Sequence, residues 1–172
     1  LVCKTGQHTG RSPNDKFVAR EPSTEHEIAW GSVNRPLAPA QFEALHRDLV
    51  ASLAGRELFV QECSAGADPQ YRLPLRVITE YAWHSLFARH LLIDIPEAVG
   101  RPAHTPEFTV IDMPGVHADP ASHGTNSEVF ILLNLAKKLV LIGGTSYAGE
   151  IKKSVFTMMN YFGPKRGVLS MH

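Results

Sequence analysis

Apolar residues recur along the chain at two spacings, and the switch from one to the other marks out its elements. Phe42, Leu45, Leu49 and Leu53 follow at three- and four-residue steps, which predicts a helix over residues 39–53. Ile151, Val155, Met158, Met159 and Phe162 do the same and predict a helix over 148–162, preceded by the strand-breaking pair Gly143-Gly144 and ended by Pro164 and Gly167. A third helix runs through Trp83, Phe87 and His90, with Thr79 placed to cap it. Alternating or continuous apolar runs predict strands at 1–4, 16–20, 57–63, 108–112, 129–135, 139–142 and 168–171. Only Ala136, Lys137 and Lys138 part the runs 129–135 and 139–142, which read as neighbouring strands. Residues 5–13 form a glycine-rich loop between two strands, 66–74 a turn, and 114–125 a loop. Residues 21–39, with three prolines and several charges, predict irregular surface structure. Strands and helices mix without strict alternation, and no repeat or low-complexity linker interrupts them. The fold class is therefore α/β, with a mixed sheet and helices of α+β character in one domain.

Composition narrows the chemistry. With 172 residues, 44% of them hydrophobic, the chain has material for a real core. Seventeen basic residues balance seventeen acidic ones, so no global field draws in nucleic acid or a membrane surface, and a bound anion must be held by local groups. The two cysteines, Cys3 and Cys63, form neither a CxxC pair nor a disulfide framework, which fits a reducing cytoplasm. No apolar run approaches the length of a membrane span. The chain begins at Leu1 without a signal pattern, which reads as a missing start.

Two segments have the form of anion sites. In TGQHTGRSP, residues 5–13, two glycines let backbone approach a ligand and Arg11 is placed to take a carboxylate in a two-pronged hydrogen bond. A glycine-rich hairpin with a solvated arginine has the same spacing, and nothing matches a nucleotide-phosphate loop. In GGTSYAGEIKK, residues 143–153, a strand ends in paired glycines and leads directly into a helix, aiming N–H groups and the positive helix end at an anion. Thr145 or Ser146 can supply the N-cap hydroxyl, while Glu150 is out of register for a capping box. Lys152 borders the apolar stripe, where burial would depress its pKa, and Lys153 lies nearly opposite Ile151. Lysines at a helix start are mildly unfavourable. They are either ordinary surface charges or a sign of a ligand. His172, at a strand end, has the pattern of a half-buried polar group, and His117 and His123 of surface residues.

Taken in order, TGQHTGRSPNDKF, GADPQYRLPLRVITEYAWHSLFARH, FTVIDMPG and LVLIGGTSYAGEIKKSVFTMMNYFGPKRGVLSMH resemble the ATP-dependent phosphoenolpyruvate carboxykinases across nearly the whole chain. The resemblance implies the N-terminal, substrate-binding domain over residues 1–172, ending before the P-loop nucleotide-binding domain. The activity it implies is decarboxylation of oxaloacetate and phosphorylation of the resulting enolate by ATP. Phosphoenolpyruvate, ADP and CO2 are the products of this cytoplasmic step of gluconeogenesis, with no nucleic acid or membrane partner. It further implies Mn2+ in the site and Mg2+ with ATP. By the same resemblance Arg11, Tyr147 and Lys153 would bind the organic substrate or CO2, and Lys153 and His172 the Mn2+. Lys152 would contact the transferred phosphoryl group, with Lys152, Lys153 and His172 on the nucleotide side and Lys152, Lys153 and Arg11 catalytic. The isolated 172 residues are expected to be inactive. A non-catalytic binding domain is the alternative from another class, and a GTP-using carboxykinase is disfavoured by the form of the 143–172 block.

Overall fold

The computed structural model describes residues 8–95 and 105–169. Among the described residues an eight-stranded mixed sheet forms the middle layer, in the order β2-β1-β7-β8-β6-β4-β3-β5. Its strands are β1 (Lys16–Ala19), β2 (Arg35–Leu37), β3 (Phe59–Ala65), β4 (Leu73–Thr79), β5 (Ile93–Asp94), β6 (Phe108–Met113), β7 (Phe130–Asn134) and β8 (Leu139–Gly143). β1 runs parallel to β2 and β7, and β6 runs parallel to β4 and β8. The β7–β8 hairpin and the pairs of β3 with β4 and β5 are antiparallel.

The alternation of side chains across these strands divides the core in two. Leu75, Val77, Val110, Ile131, Leu133, Val140 and Ile142 face a cluster closed by Ala88 of α2 (Ala82–Leu91) and by Ile151, Val155, Met158 and Phe162 of α4 (Gly149–Lys165). Phe130, Leu132, Leu141, Ile111 and Met113 point the other way, onto Phe42, Leu45 and Leu49 of α1 (Pro39–Ser52). Because β7 and β8 are covered on both faces, they read as continuous apolar runs and not as alternating ones.

The structure corrects several expectations. The stretch 21–39 contains β2, whose three residues add an edge strand to β1. β4 is an interior strand where the turn 66–74 was expected to lead towards a helix cap. Its Pro74 is accommodated because pairing with β6 begins one residue later, at Leu75 opposite Phe108. Thr79 ends β4 fully buried and donates its hydroxyl to the Tyr81 carbonyl (3.1 Å), so it does not cap α2. The loop 114–125 includes the short helix α3 (Pro120–His123). There His123 is buried, not superficial; it accepts from Asp119 N–H and pairs with Asp48 at 3.1 Å.

Pro164 lies inside the last turn of α4, which runs on to Lys165. Hydrogen bonds from Gly167 N–H to Pro164 O and from Val168 N–H to Gly163 O then close the helix. Val168 and Leu169 are not in a strand, and the rest of the expected strand 168–171 lies outside the described residues, as does the expected strand 1–4. The thiol of Cys63, on β3, is buried, and burial pushes its pKa up to about 12, which makes it an inert core group. Among the described residues no helix is long and apolar enough to cross a membrane.

Candidate active site

The two sequence segments with anion-site character meet at the start of α4. β8 ends in Gly143, where a Cβ would lie 2.2 Å from the Phe130 ring. Gly144 then takes φ +69° with the Glu128 carbonyl 2.5 Å from where a Cβ would stand. A side chain there meets both a disfavoured backbone conformation and fixed main chain, so the turn requires glycine. It delivers Thr145 and Ser146 to the carbonyl of His8, which accepts from Ser146 N–H (2.9 Å), Ser146 Oγ (3.1 Å) and Thr145 Oγ1 (3.2 Å). The hydroxyls are thereby committed to a residue 137 and 138 positions away. Neither caps α4, whose N-cap is Ala148 without a side-chain bond.

The loop bearing Arg11 is pinned at several further points. Glu150, buried in the first turn of α4, accepts from Ser12 N–H at 2.9 Å. Asn14 O accepts from Arg35 Nη1 (2.7 Å) and from the Asn126 side chain (2.5 Å). Asp15 accepts from the Ser127 hydroxyl at 2.9 Å. Gly10 leaves open space where its side chain would stand, with no positive φ, so it contributes room rather than conformational freedom. The result is a preorganised loop whose Arg11 side chain is exposed and, among the described residues, engages no hydrogen bond or ion pair.

Two recesses flank the first turns of α4. One, of about 220 Å³, is lined by Arg11, Lys16, Arg35, Glu150, Lys153 and Thr157 among others. Lys16 reaches across it to Thr157 Oγ1 (3.2 Å) and Asn34 Oδ1 (3.4 Å). Burial, together with the positive charge of Arg11, holds the Lys16 amine below the ordinary lysine range, with Glu150 opposing. Glu150 is the one carboxylate among the described lining residues and is already tied to the loop, so the recess presents a surplus of positive charge. The other recess, between α2 and α4, is lined by Thr9, Trp83, Phe87, Tyr147, Lys152, Lys153 and Phe156. Here Gly149 matters sterically: a Cβ would stand 2.4 Å from the Tyr147 ring, so its absence lets that ring lie over the helix start.

Of the residues singled out from the sequence, Arg11 and Lys153 share the first recess, and Tyr147, Lys152 and Lys153 share the second. Lys153 alone of the five borders both among the described residues, and His172 lies outside the described residues. Contrary to the expectation of partial burial, Lys152 is exposed, its amine 5.4 Å over the Phe156 ring. The side chain of Lys153 is exposed and without a polar partner among the described residues. An uncommitted nitrogen donor at a cleft suits a metal ligand. No group of three His, Cys, Asp or Glu among the described residues would hold an ion by itself. Sequence reasoning missed Lys16 and Glu150, whose roles arise from contacts between α4 and residues distant in sequence; it also missed His84 and Asp112.

The chain matches the family phosphoenolpyruvate carboxykinase over residues 1–172. It is similar to the phosphoenolpyruvate carboxykinase (ATP) of Geobacter sp. (strain M21), 54% identical over 172 residues, covering 100% of this chain and 32% of that protein. The protein of the same description from Mesorhizobium japonicum is 55% identical, and phosphoenolpyruvate carboxykinase (ATP) 2 from Moorella thermoacetica 54%, each over 172 residues with the same coverage of 100% and 32%. The chain thus spans about a third of the length of the curated relatives it matches. With its whole length covered by one family and more than half its positions identical to each of these proteins, the chain belongs to the ATP-dependent phosphoenolpyruvate carboxykinases.

Proposed function

We propose that the full-length protein carrying this chain converts oxaloacetate and ATP into phosphoenolpyruvate, ADP and CO2 in the cytoplasm, as a step of gluconeogenesis, and that residues 1–172 supply its substrate-anion side. The observation that carries the reading is the convergence of Arg11, Lys16 and Lys153 on one recess whose single described carboxylate is already engaged.

In this reading the planar guanidinium of Arg11 takes a carboxylate of oxaloacetate in two parallel hydrogen bonds, which orients the carbon–carbon bond to be broken. Electrons from that bond pass to the carbonyl oxygen as CO2 departs. The enolate oxygen then attacks the γ-phosphorus of ATP, and ADP leaves. Lys153 and Lys152 stand where charge develops, Lys153 towards the organic substrate and Lys152 towards the phosphoryl group. Tyr147, held over the helix start, contacts the organic substrate or the released CO2. Lys153 and His172 would hold a Mn2+ ion, which would supply charge neutralisation at the enolate, and Mg2+ would accompany ATP. An arginine at position 153 would stay protonated and lose that capacity.

The test is Arg11→Gln in the full-length protein, assayed with each substrate varied. The expected result is a KM for oxaloacetate raised strongly with the KM for ATP nearly unchanged, and no rescue by Arg11→Lys. Equal effects on both substrates, or on neither, overturn the assignment. The same assay on the isolated 172 residues is expected to show no ATP-dependent formation of phosphoenolpyruvate.

A further inference from the structure

Beneath the Gly-Gly turn lies a buried polar pair that the proposed chemistry does not use. His84, on α2, is fully buried; its Nδ1 lies 2.5 Å from Asp112 Oδ2 and its Nε2 lies 2.9 Å from the carbonyl oxygen of Ser146. Asp112 stands near the end of β6, opposite Ile142 of β8, and is 1% exposed. The Trp83 ring, which lines the recess between α2 and α4, meets the imidazole at a steep angle, with ring centroids 4.0 Å apart.

The acceptors dictate where the protons sit. A carbonyl only accepts, so Nε2 must carry hydrogen. The bond from Nδ1 to Asp112 then needs a second proton, on the imidazole or on the carboxyl, and in either form the pair is neutral overall. Asp112 Oδ1 has no hydrogen-bond partner among the described residues, so the carboxyl group turns its one side-chain bond to His84. Ser146 is consequently held from two sides: its N–H and hydroxyl by His8 O, and its carbonyl by His84. The next residue is Tyr147, whose N–H is accepted by Thr145 Oγ1 at 3.2 Å.

A buried ionisable pair with an unsatisfied oxygen is a poor source of stability, since apolar residues of similar volume often do as well or better. What it does provide is direction: one donor, fixed by α2 and β6, aimed at one carbonyl of the turn. We infer that His84 and Asp112 are positioning residues for Tyr147, fixing the peptide that precedes it so that its ring stays over the start of α4. This rests on the proposed role of Tyr147 in holding the organic substrate or CO2.

The experiment separates the two hydrogen bonds of His84 by side-chain reach in the full-length protein. Asparagine places its amide near the position of Nδ1 and glutamine near that of Nε2, so H84N loses the bond to Ser146 O and H84Q keeps it. H84N is expected to lower kcat/KM for oxaloacetate about 10- to 100-fold, the scale on which supporting residues act. The KM for ATP should be unchanged, and H84Q should recover most of the loss. In a Tyr147→Phe background H84N should add little, because its effect passes through the Tyr147 hydroxyl that the ring carries. Three results overturn the inference: H84N kinetics equal to the parent's whatever happens to its melting temperature, equal losses in H84N and H84Q, or full additivity with Y147F. If Y147F by itself leaves oxaloacetate kinetics untouched, the role of Tyr147 fails first and the inference falls with it.

Discussion

The two ends of α4 carry lysines in opposite circumstances. At its start, Lys152 and Lys153 sit where the helix dipole is unfavourable to a cation, and Lys153 has no polar partner among the described residues. At its end, Lys165 sits where the dipole favours it and donates to Glu27 Oε2 (2.6 Å) and Tyr161 Oη (2.7 Å). Hydrogen bonds to Glu27 and Tyr161 hold its amine above the ordinary lysine range. The same residue type on the same helix is therefore paired at one end and available at the other. Surroundings make the difference: the start faces two recesses and a loop whose backbone is tied down by other elements, whereas the end faces an acidic partner.

The comparison breaks most directly at Lys153. If an uncommitted lysine marks function, Lys153→Ala in the full-length protein should reduce kcat by roughly 100- to 1000-fold, the scale for removal of one preorganised charge-stabilising donor. A loss below about tenfold, measured by steady-state assay, would remove the distinction between the two ends.

Next in size is Gly144→Ala, which sharpens the question of what holds the first end in place. Its left-handed backbone alone predicts about 1–3 kcal/mol of lost stability. The nearby Glu128 carbonyl, 2.5 Å from the new Cβ, adds to that. Denaturant unfolding should register the loss, and an unchanged midpoint would show that the turn relaxes freely.

A smaller effect concerns pH. Burial is the largest influence on His84 and opposes its charged form, but the hydrogen bond and charge of Asp112 and the Ser146 carbonyl together hold its pKa above the ordinary histidine value. Burial also raises the pKa of Asp112, so the native pair retains its protons more tightly than the unfolded chain does. The His84 contribution to stability is therefore whole below about pH 6.5, the unperturbed value, and declines as pH rises through the native pKa. The difference in unfolding free energy between the parent and H84Q should narrow as pH increases from that point. A difference that widens would reverse the assignment.

Lys165→Ala should do least: no change in oxaloacetate kinetics and hardly any in the melting temperature, because an exposed ion pair in water contributes little. A kinetic defect there would merge the two ends of the helix into one functional surface.

Much of this was legible in the residues. Periodicity located α1 and α4 to within a few residues, and the apolar runs located β7 and β8, because each buries a stripe or two faces and must repeat accordingly. The order of motifs was enough to indicate the family. β4 escaped because it alternates buried and half-buried residues around Pro74, and it becomes an interior strand only through its pairing with β3 and β6. β2 escaped because three residues carry no period.

The site divides along the same line. The sequence by itself determined which residues carry suitable chemistry: a guanidinium in a glycine-rich loop, two lysines at a helix start, and a glycine pair that turns the chain between them. Tertiary structure alone decided how the polar groups are used. Thr145 and Ser146 look like caps, yet they donate to His8; Glu150 looks idle, yet it accepts from Ser12; and His84 finds Asp112 and Ser146. The physical reason is range. Side-chain periodicity is a local property, set by backbone geometry over a few residues, whereas a buried donor must be satisfied by whichever acceptor the topology of the sheet brings within about 3 Å, here between 28 and 138 positions away.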